Sequence, residues 1–376
     1  MNANKLHILF ISAWFPNKIS GLNGDFVQRH AKAVSSLHNV SVLHVESDFS
    51  ILKTEIQTEV LNENYREIIV FVPKSRWKLV NFFRKFLAYR KGAQKILKFD
   101  LIHANIFYFN LLWVLYLRIV FKRKFVITEH STEFYSEMSW IKRSFNKIIS
   151  KYSSYILPVS KKLQLAMEAQ GIKGRFRIIP NVVDTDLFNP KSFPGNPKPI
   201  FLHISMLLDS HKNISGQLKA MKILAEKGYD FEFHIGGNGD LKPIEHFIKE
   251  NNLNDYIKTF GSLRHAEVAD KIRAADVFIL FSFKENQPCV IIESFSVGTP
   301  VIASDVGGIS EYFPENFGEI IPSNDIEKLV EKLEEIMVKK EFATPQKMHQ
   351  YILENFSIQA IAHQFNEIYQ KVLHEN

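Results

Sequence analysis

The sequence predicts an α/β protein built from two doubly wound parallel-sheet domains. Three observations carry that expectation. The chain has 376 residues, roughly two to three times the size of a usual single domain. Short apolar runs alternate with stretches of helical period, first over residues 6–182 and again after residue 200. Between the two arrays lies NPKSFPGNPKP, residues 189–199, with four prolines and one glycine in eleven positions, a composition that supports no regular element. With 46% hydrophobic and 23% charged residues the chain has enough apolar material for two cores, which excludes disordered and fibrous classes.

Taken in order, residues 6–12 are an apolar strand that breaks into AWFPNKISGLNG, residues 25–37 read as a helix, and 40–45 as a second strand. This is a βαβ opening. Further strands fit 68–72, 101–104, 125–129 and 155–159, with helical stretches between most of them. Alternation of this kind implies a parallel sheet covered on both faces. After the break the expected elements are strand 200–205, helix 215–227, strand 231–235, helix 241–251, strand 257–260, helix 265–274, strand 277–281, helix 290–297, strand 301–303 and a charged helix 325–339. Residues 357–373 form a last amphipathic helix opened by Ser357 as N-cap. The domains are therefore expected at 1–190 and 200–355, with a linker at 191–199 and a C-terminal helix in 356–376 that packs back toward the first domain.

One cysteine, Cys289, cannot make an intramolecular disulfide, and a reducing compartment suits such a chain. The start MNANKLHILFISAWF has a lone lysine before a strand-like apolar run and no small-residue cleavage site, so it reads as a first strand rather than a leader, and the expected location is the cytoplasm. The longest apolar stretch, 106–117, is short of the ~20 residues that cross a bilayer and is expected to be a buried helix.

The formal net charge of +7 is unevenly divided: residues 1–200 carry 30 Lys and Arg against 14 Asp and Glu, and residues 201–376 carry 17 against 26. The basic half should meet something anionic. Within it, residues 74–98 hold nine basic residues and no acid, interleaved with Trp77, Leu79, Val80, Phe82, Phe83, Phe86, Leu87 and Tyr89. Such a helix suits an anionic membrane surface, or a core face with a solvated basic rim, and periodicity does not separate the two. No helix-turn-helix, zinc or aromatic-platform pattern points to nucleic acid.

In open α/β sheets ligands bind beyond the carboxyl ends of the strands, so chemistry is expected in the loops that follow them. After strand 277–281 comes SFKENQPCVIIESFSVGTPVIASDVGGISE. Pro288 suits the first position of the next helix, Glu293 lies in its early turns and Glu285 projects from the loop, so two carboxylates are expected at one cleft, where each can accept hydrogen bonds from vicinal hydroxyls. On spacing alone the stronger reading is a solvated loop charge for Glu285 and a helix-dipole partner for Glu293.

The run from Glu285 to Glu293, two glutamates separated by seven residues, followed by GTPVIAS and GGISE, resembles the retaining glycosyltransferases of family 4. The resemblance extends over nearly the whole chain: SGLNGDFVQRHAKAV, FDLIHAN, VITEHSTEF, VSKKLQLAMEAQGIKGRFRIIPNVVDTDLFNP, HKNISGQLKAMKIL, FHIGGNGD and FSIQAIAHQFNEIYQKVL stand in family order. It implies a GT-B fold, two facing Rossmann-like domains with an interdomain cleft, the first binding the acceptor and the second a nucleotide-diphosphate sugar. By that resemblance Glu293 holds ribose hydroxyls, Glu285 the donor sugar or the bond-breaking region, and Lys212 the donor diphosphate. Gly307 and Gly308 would offer amides and a helix N-terminus to the phosphates. Gly24 belongs to the glycine loop beside the donor, and His130 would hydrogen-bond a sugar hydroxyl. His103 reads as structural. The implied substrates are a nucleotide sugar and a glycan or lipid-linked acceptor, with no cofactor and no metal, and the basic 74–98 segment would dock the enzyme on the inner membrane face.

The sequence departs from the family in two places. The arginine that often precedes the phosphate lysine is absent from Ser205-Met206-Leu207, which leaves His211 or Arg264 as substitutes. The usual phenylalanine-glycine after the first glutamate is Gln287-Pro288, which removes one backbone donor near the sugar. Asp184-Thr185-Asp186 reads as a structural turn rather than a metal pair, GGNGD at 236–240 is too short for a dinucleotide fingerprint, and Cys289 reads as a packing residue. The alternatives are a GT-B nucleotide-sugar epimerase or hydrolase, and a non-catalytic sugar-nucleotide-binding protein.

Overall fold

The computed structural model describes residues 5–21, 23–96, 98–107, 111–190, 196–338 and 341–375. The chain forms two compact units, Met1–Val182 with Ile358–Asn376, and Val183–Ser357. In the first, β1 (His7–Ser12), α1 (Asp25–Ser35), β2 (Asn39–Asp48), β3 (Glu55–Asn62), β4 (Tyr65–Pro73), α2 (Lys78–Ala93), β5 (Leu101–Asn105), α3 (Leu111–Phe121), β6 (Phe125–Glu129), α4 (Trp140–Tyr152), β7 (Tyr155–Pro158) and α5 (Lys161–Ala169) follow one another. The sheet order is β3-β4-β2-β1-β5-β6-β7, parallel throughout except where β3 pairs antiparallel with β4.

β1, β5 and β6 are apolar on both faces because helices cover both. Leu9, Ile11, Val70 and Ile102 point into one core with Tyr89 of α2, Trp113 of α3, Ile149 of α4 and Leu163 of α5. Ile8, Phe10 and Val42 point into the opposite core with Val27 and Val34 of α1.

The second unit runs β8 (Ile200–Met206), α6 (Asp209–Lys212), α7 (Ile214–Glu226), β9 (Glu232–Asn238), α8 (Lys242–Glu250), β10 (Ile257–Phe260), α9 (His265–Ala274), β11 (Val277–Leu280), α10 (Cys289–Val297), β12 (Val301–Ser304), β13 (Gly318–Ile321), α11 (Ile326–Met337) and α12 (Pro345–Asn355). Its sheet, β10-β9-β8-β11-β12-β13, is parallel in every pair. The chain then enters α13 (Ile358–His374), which belongs to the first unit: Ile361, Phe365 and Tyr369 complete the core beneath α1, and the Tyr369 hydroxyl lies 2.6 Å from His103 Nδ1.

The structure corrects several expectations. The first boundary falls between Val182 and Val183, not at 190, because Val183 and Phe188 are buried in the core of the second unit and the Arg273 guanidinium donates to the Leu187 and Asn189 carbonyls. Residues 191–195 of the expected linker lie outside the described residues. β3 was not foreseen, since all eight of its residues are exposed and an edge strand with neither face buried has no burial pattern to read. β13 and α12 were likewise unforeseen; α12 is opened by the Thr344 hydroxyl, which caps Lys347, and by Pro345 at its first position. Of the expected buried helix 106–117, residues 111–117 are helical with one face buried, and residues 106 and 107 precede the helix. Residues 108–110 lie outside the described residues, and α3 buries Leu111, Trp113, Val114 and Leu117 while Ile119, Val120 and Phe121 are exposed.

In α2 only Ala88, Tyr89 and Gly92 are buried. Trp77, just before the helix, and Leu79, Phe83 and Leu87 within it are exposed at 76%, 74%, 61% and 53%, while Ala88, Tyr89 and Ile96 sit in the sheet core, so 74–98 has a core face and, beside it, an exposed apolar strip. Residue 97 lies outside the described residues. Among those described, no helix is long and apolar enough to cross a membrane.

Candidate functional site

Within the second sheet the strand order reverses between β8 and β11, so the loops leaving these two strands flank a crevice at the carboxyl edge. Lys212, the last residue of α6 after β8, and Glu285, in the loop after β11, meet there with Nζ to Oε1 at 2.5 Å. Both side chains are largely buried, at 18% and 9% exposure, and the Ser282 hydroxyl donates to the same carboxylate oxygen at 2.7 Å. The pair is held by backbone. The amides of Phe283 and Lys284 donate to the His211 carbonyl, and Gln217 Nε2 donates to the Lys212 carbonyl at 3.0 Å. Asn213, at a left-handed φ of 48°, caps α7 through Gly216 N–H, which ends α6 one residue past the lysine. His203 lies below in β8, bonded to the Ile279 carbonyl. Burial and the Lys212 charge lower its pKa to about 4, so its imidazole is neutral.

α10 begins at Cys289, which places Pro288 just before the helix rather than at its first position. Glu293, its fifth residue, is buried at 2% exposure, and Gln287 and Asn286 are buried in the preceding loop. Gly307 sits at φ +57°, and a Cβ there would lie 2.0 Å from the Glu285 carbonyl oxygen. The Gly308 amide donates to the Asn286 carbonyl at 2.8 Å. This bond fixes the Glu285–Asn286 loop. The following helical turn, Ile309–Tyr312, has only four residues.

Gly307→Ala combines a left-handed backbone costing roughly 1–2 kcal/mol with an overpacked contact costing typically 1–3. We expect about 3 kcal/mol of destabilisation and a displaced Glu285. A urea midpoint unchanged from wild type would contradict this.

The first unit has its own reversal, between β1 and β5. Gly24 caps the start of α1 at φ +83°, with the Trp14 carbonyl 2.4 Å from where a Cβ would sit. His130 follows β6 and is buried at 8% exposure, its ring 4.3 Å from Phe26 and 5.2 Å from His30, with a side-chain hydrogen bond to Asn181. Burial, with His30 and His103 adding to it, holds its pKa well below the usual histidine range, so it is a neutral hydrogen-bonding group. His103 is structural, bridging Tyr369 and Thr128.

Of the proposed substitutes for the family arginine, Arg264 is paired with Glu267 at 3.1 Å on an exposed helix start, and His211 contributes its carbonyl to the Phe283 turn. Met206 is exposed at 61%. The Asp184 carboxylate accepts the amides of Asp186 and Leu187 at 3.1 and 3.2 Å, a turn closed on itself.

Two residues were missed from the sequence. Ser282 orients Glu285. Glu129 ends β6 fully buried, and its carboxyl accepts the amides of Phe107, His130 and Ser131 at 2.8, 2.7 and 2.6 Å, shaping the His130 loop. Burial raises its pKa to about 7 against these hydrogen bonds. The available signal was an acid at the end of an otherwise apolar run, directly before the histidine.

Two doubly wound parallel-sheet units, the second with a charged pair at its switch point, are the architecture of the GT-B fold class. Residues 184–367 match the family profile described as Glycosyl transferases group 1 and residues 24–187 that described as Glycosyltransferase Family 4. The chain belongs to glycosyltransferase family 4. It is 26% identical over 197 residues to the amylovoran biosynthesis glycosyltransferase AmsK of Erwinia amylovora, covering 50% of this chain and 48% of that protein. It is 28% identical over 199 residues to one of the subunits of phosphatidylinositol N-acetylglucosaminyltransferase from Homo sapiens, covering 52% and 41%. The chain thus spans less than half the length of these curated relatives. In fold it is similar to sucrose-phosphate synthase from Thermosynechococcus elongatus, with TM-score 0.78 and 22% identity over 98% of this chain and 99% of that one. It is likewise similar to Anabaena Alr3699/HepE in complex with UDP-glucose, with TM-score 0.73 and 17% identity over 97% and 100%.

Proposed function

We propose that the protein transfers a glycosyl unit, with retention at the anomeric carbon, from a nucleotide-diphosphate sugar to a hydroxyl of a glycan or lipid-linked acceptor in cell-surface polysaccharide or glycolipid synthesis. The observation that carries this reading is the Lys212–Glu285 pair at the switch point of the second sheet. The bond from the anomeric carbon to the diphosphate oxygen breaks, and the acceptor oxygen forms the new bond on the same face. Its proton passes to the departing phosphate, so no side chain acts as general base and positioning with electrostatics supplies the catalysis. Lys212 meets the negative charge that develops on the diphosphate, Glu285 holds the sugar and Glu293 the ribose hydroxyls. Gln287, Gly307 and Gly308 shape that loop, Gly24 lines the donor side of the first unit and the neutral His130 hydrogen-bonds a sugar hydroxyl. No metal is required in this reading, since the ammonium does the work of a cation. The complex of HepE with UDP-glucose supports a nucleotide-sugar donor. The exposed aromatic side of α2 and its basic residues support peripheral attachment to the cytoplasmic membrane face.

A thermal-shift panel of nucleoside diphosphates and their sugars tests the donor site. Ligand at a hundred times its dissociation constant stabilises by about 2.7 kcal/mol, and Glu293→Ala should lose that response. No response to any member of the panel would leave a GT-B-shaped protein without a donor site.

A further inference from the structure

At the amino edge of the first sheet, opposite the edge that carries Gly24 and His130, is a cavity of about 570 Å³. Its walls carry Arg118, Lys124, Lys151, Lys173 and Arg175, and one carboxylate, Glu375. Lys124 immediately precedes β6, so the length of that five-residue strand, roughly 16 Å, separates the cavity from His130. Ser154, just before β7, adds a hydroxyl, while the Ser153 hydroxyl donates to the Ser150 carbonyl at 2.9 Å. Glu375 pairs with Arg175 and lies 3.3 Å from the Tyr155 hydroxyl. The Lys124 ammonium is held by the Val372 carbonyl at 2.9 Å and by that of Glu375, which orient it without neutralising it. Arg118 and Lys124 are half-buried, with the guanidinium 5.9 Å from the Phe125 ring. Five cations facing one carboxylate repel one another, and drawing two of them partly out of water adds to the cost; a multivalent anion relieves both. The rim is apolar. Tyr152 lines the cavity, and Ile119 and Phe121 are exposed beside Arg118 on the last turn of α3.

We propose that this cavity is a binding site for a phosphate group, separate from the donor site, and that the phosphate it takes is a lipid headgroup or a free phosphate anion. Guanidinium forks and ammonium groups converging on one pocket are the chemistry that recognises a doubly charged phosphoryl group, and the Ser154 hydroxyl adds one neutral donor. The inference does not rest on the donor reading.

Two binding measurements on the full chain test it. Inorganic pyrophosphate is titrated calorimetrically into protein carrying Lys212→Ala, which removes the donor-site lysine from the comparison. Phosphatidylcholine vesicles with and without phosphatidate are used in co-sedimentation. Each is repeated with Lys151→Glu and Lys173→Glu together, both exposed and outside the transfer machinery, and with the same reversals at exposed Lys32 and Lys53 as the charge control. The 151/173 pair is expected to weaken binding at least about tenfold, well beyond the control. Loss confined to phosphatidate vesicles identifies a headgroup site, and loss of pyrophosphate binding identifies a free-phosphate site. If the 151/173 and 32/53 pairs behave alike in both assays, or if vesicle binding depends on α2 alone, the proposal is overturned.

Discussion

Lys212→Ala is expected to lower kcat by roughly a hundred- to a thousandfold, the usual loss when one preorganised stabiliser of developing charge is removed. The pair geometry explains why the effect should fall on kcat. Lys212 is held 2.5 Å from Glu285 with both side chains largely buried, so its position is set by the fold before substrate arrives. The substitution also strips the Glu285 carboxylate of its cation and leaves it to the Ser282 hydroxyl, which should destabilise the second unit by about 1–3 kcal/mol. Lys212→Arg separates the two effects by keeping the charge and changing the shape. The measurement is the release of nucleoside diphosphate from whichever donor the thermal-shift panel selects, with KM and kcat resolved. A variant that raises KM alone would make Lys212 a ground-state binding residue and sink its assigned role.

The second large effect is acid lability of the first unit. His30 of α1 is fully buried against Phe365 of α13, bonded to the Pro180 carbonyl at 2.9 Å, and burial lowers its pKa to about 4. His103 and His130 are held well below the usual value by burial, with His30 adding to both and His103 adding to His130. A histidine with its folded pKa depressed below 6.5 binds fewer protons folded than unfolded, so its contribution is complete above pH 6.5 and is lost as pH falls toward 4. For His30 alone that loss is about 3 kcal/mol. Glu129, raised to about 7, works in the opposite direction: its carboxyl is protonated in the folded state first, and stability rises as pH falls from 7 toward its unfolded value. Three histidines shifted down stand against one glutamate shifted up, so the unit should be less stable at pH 4 than at pH 7. Denaturant titrations across that window check this, and a flat profile would show that the cluster is already solvated in the native state.

The elements most legible in the sequence were those with both faces covered. β1, β5, β6 and β11 are short continuous apolar runs with polar boundaries, and their predicted and observed limits differ by a residue or less. The two glutamates, the lysine and the histidine were legible through the family resemblance, not through spacing, which by itself favoured a solvated loop acid. β3 was illegible because nothing buries it. The division at Val183 was illegible because Pro and Gly mark where regular structure stops, whereas ownership of residues 183–189 is decided by which core receives Val183 and Phe188. Ser282 and Glu129 escaped because a hydroxyl or carboxyl that orients a neighbour looks in sequence like any other polar residue.

The sequence by itself determined the α/β class, the order of the main elements, the family and the residues that carry its signature, because local period, turn chemistry and motif spacing are properties of neighbours along the chain. Only the tertiary structure decided that Glu285 meets Lys212, that the Gly308 amide holds a loop, that α13 closes the core of the first unit and that five cations surround one cavity. Each of these joins groups far apart in sequence, and distance in space is set by packing.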